Sequence, residues 1–159
     1  VPDFPDFSQY AIVNLYQQTL SELISRNKYG APAMVVGRET VEEDETKILL
    51  DITGKGQIYS AVCNVIGQIS VTDHMILAMD GQVINDMTWD DLFSNRYLAG
   101  MNLPIGMTRY PADADKATAS LTPGYTFETQ YKLEYHHGEL IGNGSVNVVA
   151  IAYYALIGP

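Results

Sequence analysis

Several groupings in this chain of 159 residues are of types that could do chemistry. Asp113 and Asp115 form an Asp-x-Asp pair just before Lys116. A calcium loop would need further oxygen ligands at fixed steps and usually a later Glu, which does not follow. His136 and His137 are adjacent in a strand-like run, where successive side chains point to opposite faces, so the two rings cannot close on one metal ion. Gly54-Lys55-Gly56 lacks the rest of a phosphate-binding loop and reads as a turn. Trp89 with Asp90 and Asp91 could stack on a sugar ring and bind its hydroxyls, whereas the plainer role of the indole is a core or interface anchor. Asp113, Asp115 or Glu134 could serve as the acids of a glycan hydrolase. Cys63 lies in the apolar run IYSAVCNVIG without a family signature around it, which points to a buried structural thiol. No nucleophile elbow or metalloprotease pattern occurs. The expectation is a protein without catalytic residues, cofactor or metal site, and not an enzyme.

Composition narrows the classes further. One domain with a real core fits the length, and 47% hydrophobic residues is an ordinary globular fraction. Only 18% of residues are charged, so much of the surface is neutral or covered by partners. Eleven tyrosines point the same way, because a large apolar body with a polar tip suits interfaces. The net charge of −10, from 19 acidic and 9 basic residues, repels phosphate backbones and disfavours nucleic acid as a partner. The acidic run ETVEEDE (39–45) reads as a solvated loop. No segment reaches the length of a membrane-spanning helix, and VPDFPDFS lacks the basic start and apolar core of a signal peptide. A membrane partner is therefore not expected.

The elements that must position these residues fall into two regions. Residues 1–30 read as an N-terminal helical arm. Asp6 with Gln9 has the form of a helix cap, and Val13, Tyr16, Leu20 and Leu23 recur on one helical face until Gly30 and Pro32 end the helix. That stripe is the candidate arm contact, made with its own domain or with a neighbour. Residues 31–159 read as one β-sandwich domain. Strands are expected at 33–38, 47–52, 57–66, 74–79, 82–85, 103–110 and 125–136. Asp80-Gly81 marks a hairpin, and 88–93 a helical turn or loop. Residues 111–123 read as a loop. In 125–136, Phe127, Thr129, Tyr131, Leu133 and Tyr135 alternate with Glu128, Gln130, Lys132, Glu134 and His136, the pattern of a half-exposed strand. The last run, SVNVVAIAYYALIGP, is apolar on both faces. Val146, Val148, Ala150, Ala152, Tyr154 and Leu156 lie on one side, and Val149, Ile151, Tyr153, Ala155 and Ile157 on the other. Such a strand needs cover on both sides, the second supplied by another copy of the chain. Val149, Ile151, Tyr153 and Ile157 are thus the candidate oligomer interface, and this strand is expected to pair with its predecessor across the loop 137–144. About eight short strands separated by Gly-containing turns indicate an all-β antiparallel sandwich of jelly-roll type.

The succession KILLDITGKGQIYSAV, MILAMDGQVI, YTFETQYKLEYHH and SVNVVAIAYYAL resembles the β-sandwich virion proteins of tailed bacteriophages, of the decoration, head-fibre and tail-associated type. The resemblance covers roughly residues 45–157 and implies a jelly-roll-like fold, a homotrimer and a place on the particle surface. The major capsid protein or another virion protein would be the partner, with the N-terminal arm as the attachment, and the role would be capsid decoration (cement) or head fibre. It implies no functional side chains. A receptor- or glycan-binding tail domain built on Trp89 is the alternative.

Overall fold

Alternation of period two runs through most of the chain and produces strands with one buried side. The computed structural model describes residues 13–18, 30–98, 103–109, 115–138 and 144–158. Residues 13–18 are helical (α1). The strands are β1 (Ala33–Glu42), β2 (Thr46–Thr53), β3 (Gly56–Gly67), β4 (His74–Met79), β5 (Gln82–Thr88), β6 (Ile105–Arg109), β7 (Lys116–Leu121), β8 (Thr126–Phe127), β9 (Gln130–His136) and β10 (Ser145–Leu156), with α2 (Trp89–Ser94) after β5. The large sheet has the order β1-β10-β3-β7-β6, with β8 on one end of β3, and the small sheet has the order β2-β9-β4-β5. All of these pairings are antiparallel. Leaving β6 and β8 aside, the orders β1-β10-β3-β7 and β2-β9-β4-β5 are those of a jelly roll.

The two inner faces differ in size. At its centre the large sheet contributes Ala61, Cys63, Val65, Ala117, Ala119, Val148, Ala150 and Ala152, all small and all buried, while Ile58, Leu121 and Phe127 near the start of β3 and Ile105 and Met107 on β6 supply bulk. The small sheet answers with Leu50, Met75, Leu77, Tyr131, Leu133 and Tyr135, buried in the same cluster. Bulky side chains of the small sheet thus pack against a central floor of small ones.

Several expectations change. Residues 116–121, read as loop, form β7 between β3 and β6. Ala117 and Ala119 are weak strand formers by themselves, and the register against Val65 and Cys63 makes the strand. The single strand expected at 125–136 is broken: Thr126–Phe127 pairs with β3 in the large sheet, and Gln130–His136 lies between β2 and β4 in the small one. β10 does not pair with its predecessor but sits between β1 and β3. Glu39–Glu42 belong to β1 rather than to a loop. Leu20, Leu23 and Asp113 lie outside the described residues, as does the cap at Asp6.

One glycine is set by close approach. The β2–β9 register shifts between Ile48 and Leu50, and a Cβ on Gly37 would lie 1.7 Å from the carbonyl oxygen of Leu49. β1 and β2 belong to different sheets and come into close contact there. Gly37→Ala is therefore expected to destabilise the fold by about 3 kcal/mol or more, seen as a lower denaturant midpoint in urea unfolding; an unchanged midpoint would refute the contact.

Candidate functional site

The residues with chemical potential are mostly consumed by the fold. Trp89 is fully buried at the start of α2. Its indole Nε1 donates to the Tyr135 hydroxyl at 2.9 Å, and that hydroxyl donates to Asp73 Oδ2 at 2.7 Å. Asp73 Oδ1 also accepts from the Gly138 amide and lies 2.8 Å from His137 Nδ1. Asp73, Tyr135 and His137 are all inaccessible. Burial first, and then the Asp73 carboxylate, push the Tyr135 hydroxyl well above its ordinary pKa, so it remains a donor. A histidine oriented by a carboxylate is half of a general-base arrangement, but a base must reach its substrate. Here the carboxylate gathers the turn before β4, the inner face of β9 and the chain leaving β9. Trp89 presents no face to a sugar. Asp91 is spent on capping: it accepts from the Thr88 amide and hydroxyl while its own amide donates to Thr88 Oγ1. Asp90 accepts from Ser94.

His136 and His137 do point to opposite sides. His136 lies on the outer face of the small sheet, 3.0 Å from Thr46 Oγ1 and edge-on to His74, which lies 2.9 Å from Asp86. Glu134 pairs with Lys132 on the same face. Among the described residues no cluster of three or more His, Cys, Asp or Glu is placed to hold a metal ion. Cys63 is fully buried, and desolvation pushes its thiol up to about 12.

Asp80 was legible only as half of a hairpin. Asp80 and Gly81 both have positive φ, 52° and 77°, as a tight two-residue turn requires. Its carboxylate reaches across to the break between β8 and β9 and accepts from the amides of Glu128, Thr129 and Gln130. These backbone donors hold its pKa down at about 2.

What remains is a sheet face. Outward-pointing residues of the large sheet form cross-strand rows: Met34, Tyr153 and Ser60; Val36, Ile151, Val62 and Ser120; Arg38, Val149, Asn64 and Thr118; Thr40, Asn147, Ile66 and Lys116. Two neutral hydrogen bonds tie the lower rows, Thr40 to Asn147 and Thr118 to Asn64. The upper rows are aliphatic and aromatic, with Met34 57% and Tyr153 49% exposed and Val36, Val62, Val149 and Ile151 half-buried. Val149, Ile151 and Tyr153 thus lie together in the middle of one face, and Ile157 sits past the strand end, where its amide donates to Lys55. The outer face of the small sheet carries Asp51, Lys132, Glu134, Asp86 and both surface histidines, with Ile48, Ile76 and Val83 among them. A separate apolar cleft of about 470 Å3 is lined by Phe93, Ser94, Arg96, Leu98 and Met107.

No protein-family model and no curated protein matches this sequence. The structure is similar to a chain of the cyanophage Pam1 capsid asymmetric unit, with 11% identity and a TM-score of 0.37 over 79% of this chain and 86% of that one. A likeness of that depth leaves the functional reading to the geometry.

Two outcomes follow from the buried carboxylate and the surface one. Asp73→Ala leaves the Tyr135 hydroxyl, the Gly138 amide and His137 without their acceptor and is expected to cost about 3 kcal/mol or more in chemical denaturation; a loss below 1 kcal/mol would mean that the cluster does not hold the turn. The folded-state pKa of Asp80 is depressed, so its contribution is complete above pH 4 and fades as pH falls toward 2. Asp80→Asn should therefore lower the melting temperature at pH 7, and its gap from the wild type should close between pH 4 and pH 2. A gap independent of pH would refute the carboxylate's role.

Proposed function

We propose that this chain is a non-enzymatic structural protein of a tailed-bacteriophage virion, a homotrimeric decoration (cement) or head-fibre subunit on the particle surface. The observation that carries the reading is the difference between the two outer faces. A sheet that faces water on one side normally alternates apolar inside with polar outside. The small sheet does so in large part, with ions and hydrogen bonds among its outward side chains and Ile48, Ile76 and Val83 set between them. The large sheet leaves Met34, Val36, Val62, Val149, Ile151 and Tyr153 in a contiguous strip, the kind of patch that marks an interaction surface. Threefold rings are built from heterologous contacts in which each copy offers two different patches, and the strip supplies one of them. The jelly-roll order supports the reading, as does the resemblance of the strand and turn succession to phage virion sandwiches. The major capsid protein or another virion protein is the proposed anchor. The net charge of −10 fits a particle exterior that must not adhere to nucleic acid.

Size exclusion with light scattering is expected to give three times the 17.5 kDa mass of the chain at micromolar concentration. Ile151→Glu places a charge in the middle of the strip and should shift the mass toward a single chain while the far-ultraviolet β signal is kept. A wild-type species of 17.5 kDa, or a trimer indifferent to Ile151→Glu, would sink the proposal.

A further inference from the structure

The strip on the large sheet is small for a flat contact between two bodies. The six apolar residues lie on three strands at about 4.8 Å spacing and span five residues at about 3.3 Å, a patch of about 14 Å by 17 Å. That is about a third of the ~800 Å2 that each side of a stable complex contributes. An α-helix with its side chains is about 10 Å across, and one helix laid over the strands would cover most of the strip's width.

The chain carries a matching segment. In α1 the apolar Val13 and Tyr16 are 52% and 68% exposed, so neither the helix stripe nor the sheet strip is covered by the other within one copy. Charge does not oppose the fit: residues 1–30 contain Asp3, Asp6 and Glu22 against Arg26 and Lys28, and 13–18 carry none. On the sheet, Arg38 and Lys116 flank the strip and form no ion pair among the described residues. The attachment point is also suited to exchange. The Gly30 amide donates to the carbonyl of Leu156, so the segment joins the sandwich at the β10 end beside Tyr153, at the margin of the strip. Residues 19–29 separate α1 from that point and can span at most about 36 Å when extended.

We infer that in the assembled oligomer the outer face of the large sheet seats the amino-terminal segment of a second copy, with α1 laid across β1, β10 and β3 and its Val13 and Tyr16 on the strip. The inference rests on the self-assembly proposed above. It assigns the arm to a sister subunit's sheet rather than to its own domain or to the capsid. In a trimer, exchange adds one helix contact to each subunit boundary, every copy giving one arm and receiving one, which lifts a marginal face toward the area of a stable interface.

Paired cysteines test it, with the buried and unreactive Cys63 as a silent background. Tyr16→Cys is co-expressed with a tagged chain carrying Met34→Cys or, in a second experiment, Tyr153→Cys, its cross-strand neighbour on the strip, and the purified oligomer is oxidised with copper phenanthroline. A link between different chains can arise only from an intermolecular contact. Mixed disulfide dimers are expected with both acceptors, and none with Ile48→Cys on the opposite sheet. An oligomer by light scattering that yields no mixed dimer, or that links Tyr16→Cys to Met34→Cys only when both sit in one chain, overturns the exchange and leaves assembly standing. A 17.5 kDa species without links overturns both.

Discussion

The interior of this sandwich is asymmetric in size, and the rest of the molecule follows from that. Tyrosine, leucine and methionine of the small sheet project into a floor of alanine, valine and cysteine on the large one. Each large inward side chain uses volume that its counterpart gives up, so the two sheets close at native density. The small sheet spends most of its bulk inward and sets ions and hydrogen bonds outward beside Ile48, Ile76 and Val83. The centre of the large sheet has little bulk inside, Ile58, Leu121 and Phe127 lying toward the start of β3, and β-branched and aromatic residues stand on its outer face. β10 shows this along one strand: Val146, Val148, Ala150 and Ala152 are buried, while Val149, Ile151 and Tyr153 alternate with them on the other side.

Polar residues that look chemical act as fasteners where the chain changes sheets. A jelly roll sends its connections repeatedly from one sheet to the other, and each crossing leaves backbone groups that the ladders do not satisfy. Asp73 gathers Tyr135, His137 and Gly138 at one such place. Asp80 does the same for the three amides at the break between β8 and β9. Thr88 and Asp91 close the start of α2. In each case a carboxylate offers several acceptor sites at once, which a hydroxyl or an amide could not match.

Legibility tracked how local each signal was. The alternation in β9 and β10, the Asp80-Gly81 turn and the short helix at Trp89 were readable, because each is set by neighbours in sequence. β7 was not, since alanine at 117 and 119 has no preference for extended backbone and owes its state to β3 beside it. The break at Glu128 was hidden for a related reason: alternation continues through 125–136, and the bend is held by distant residues, the Asp80 carboxylate some fifty residues away together with the Gly54 amide and Lys55. The need for Gly37 could not be foreseen either, because the clash it avoids is with the bulged Leu49 of the next strand.

Sequence alone determined that the chain is made of strands, which of their side chains share a face, and that the last strand is apolar on both sides. These depend on a period of two and on turn residues, both written within a few positions. Tertiary structure alone decided which strands pair, that β10 lies between β1 and β3, and that Trp89 and His137 are sealed around Asp73. It also decided that the second apolar side of β10 joins β1 and β3 in one open strip. Pairing and cover are contacts between distant segments, and their energies belong to the assembled sheets rather than to any window of the chain.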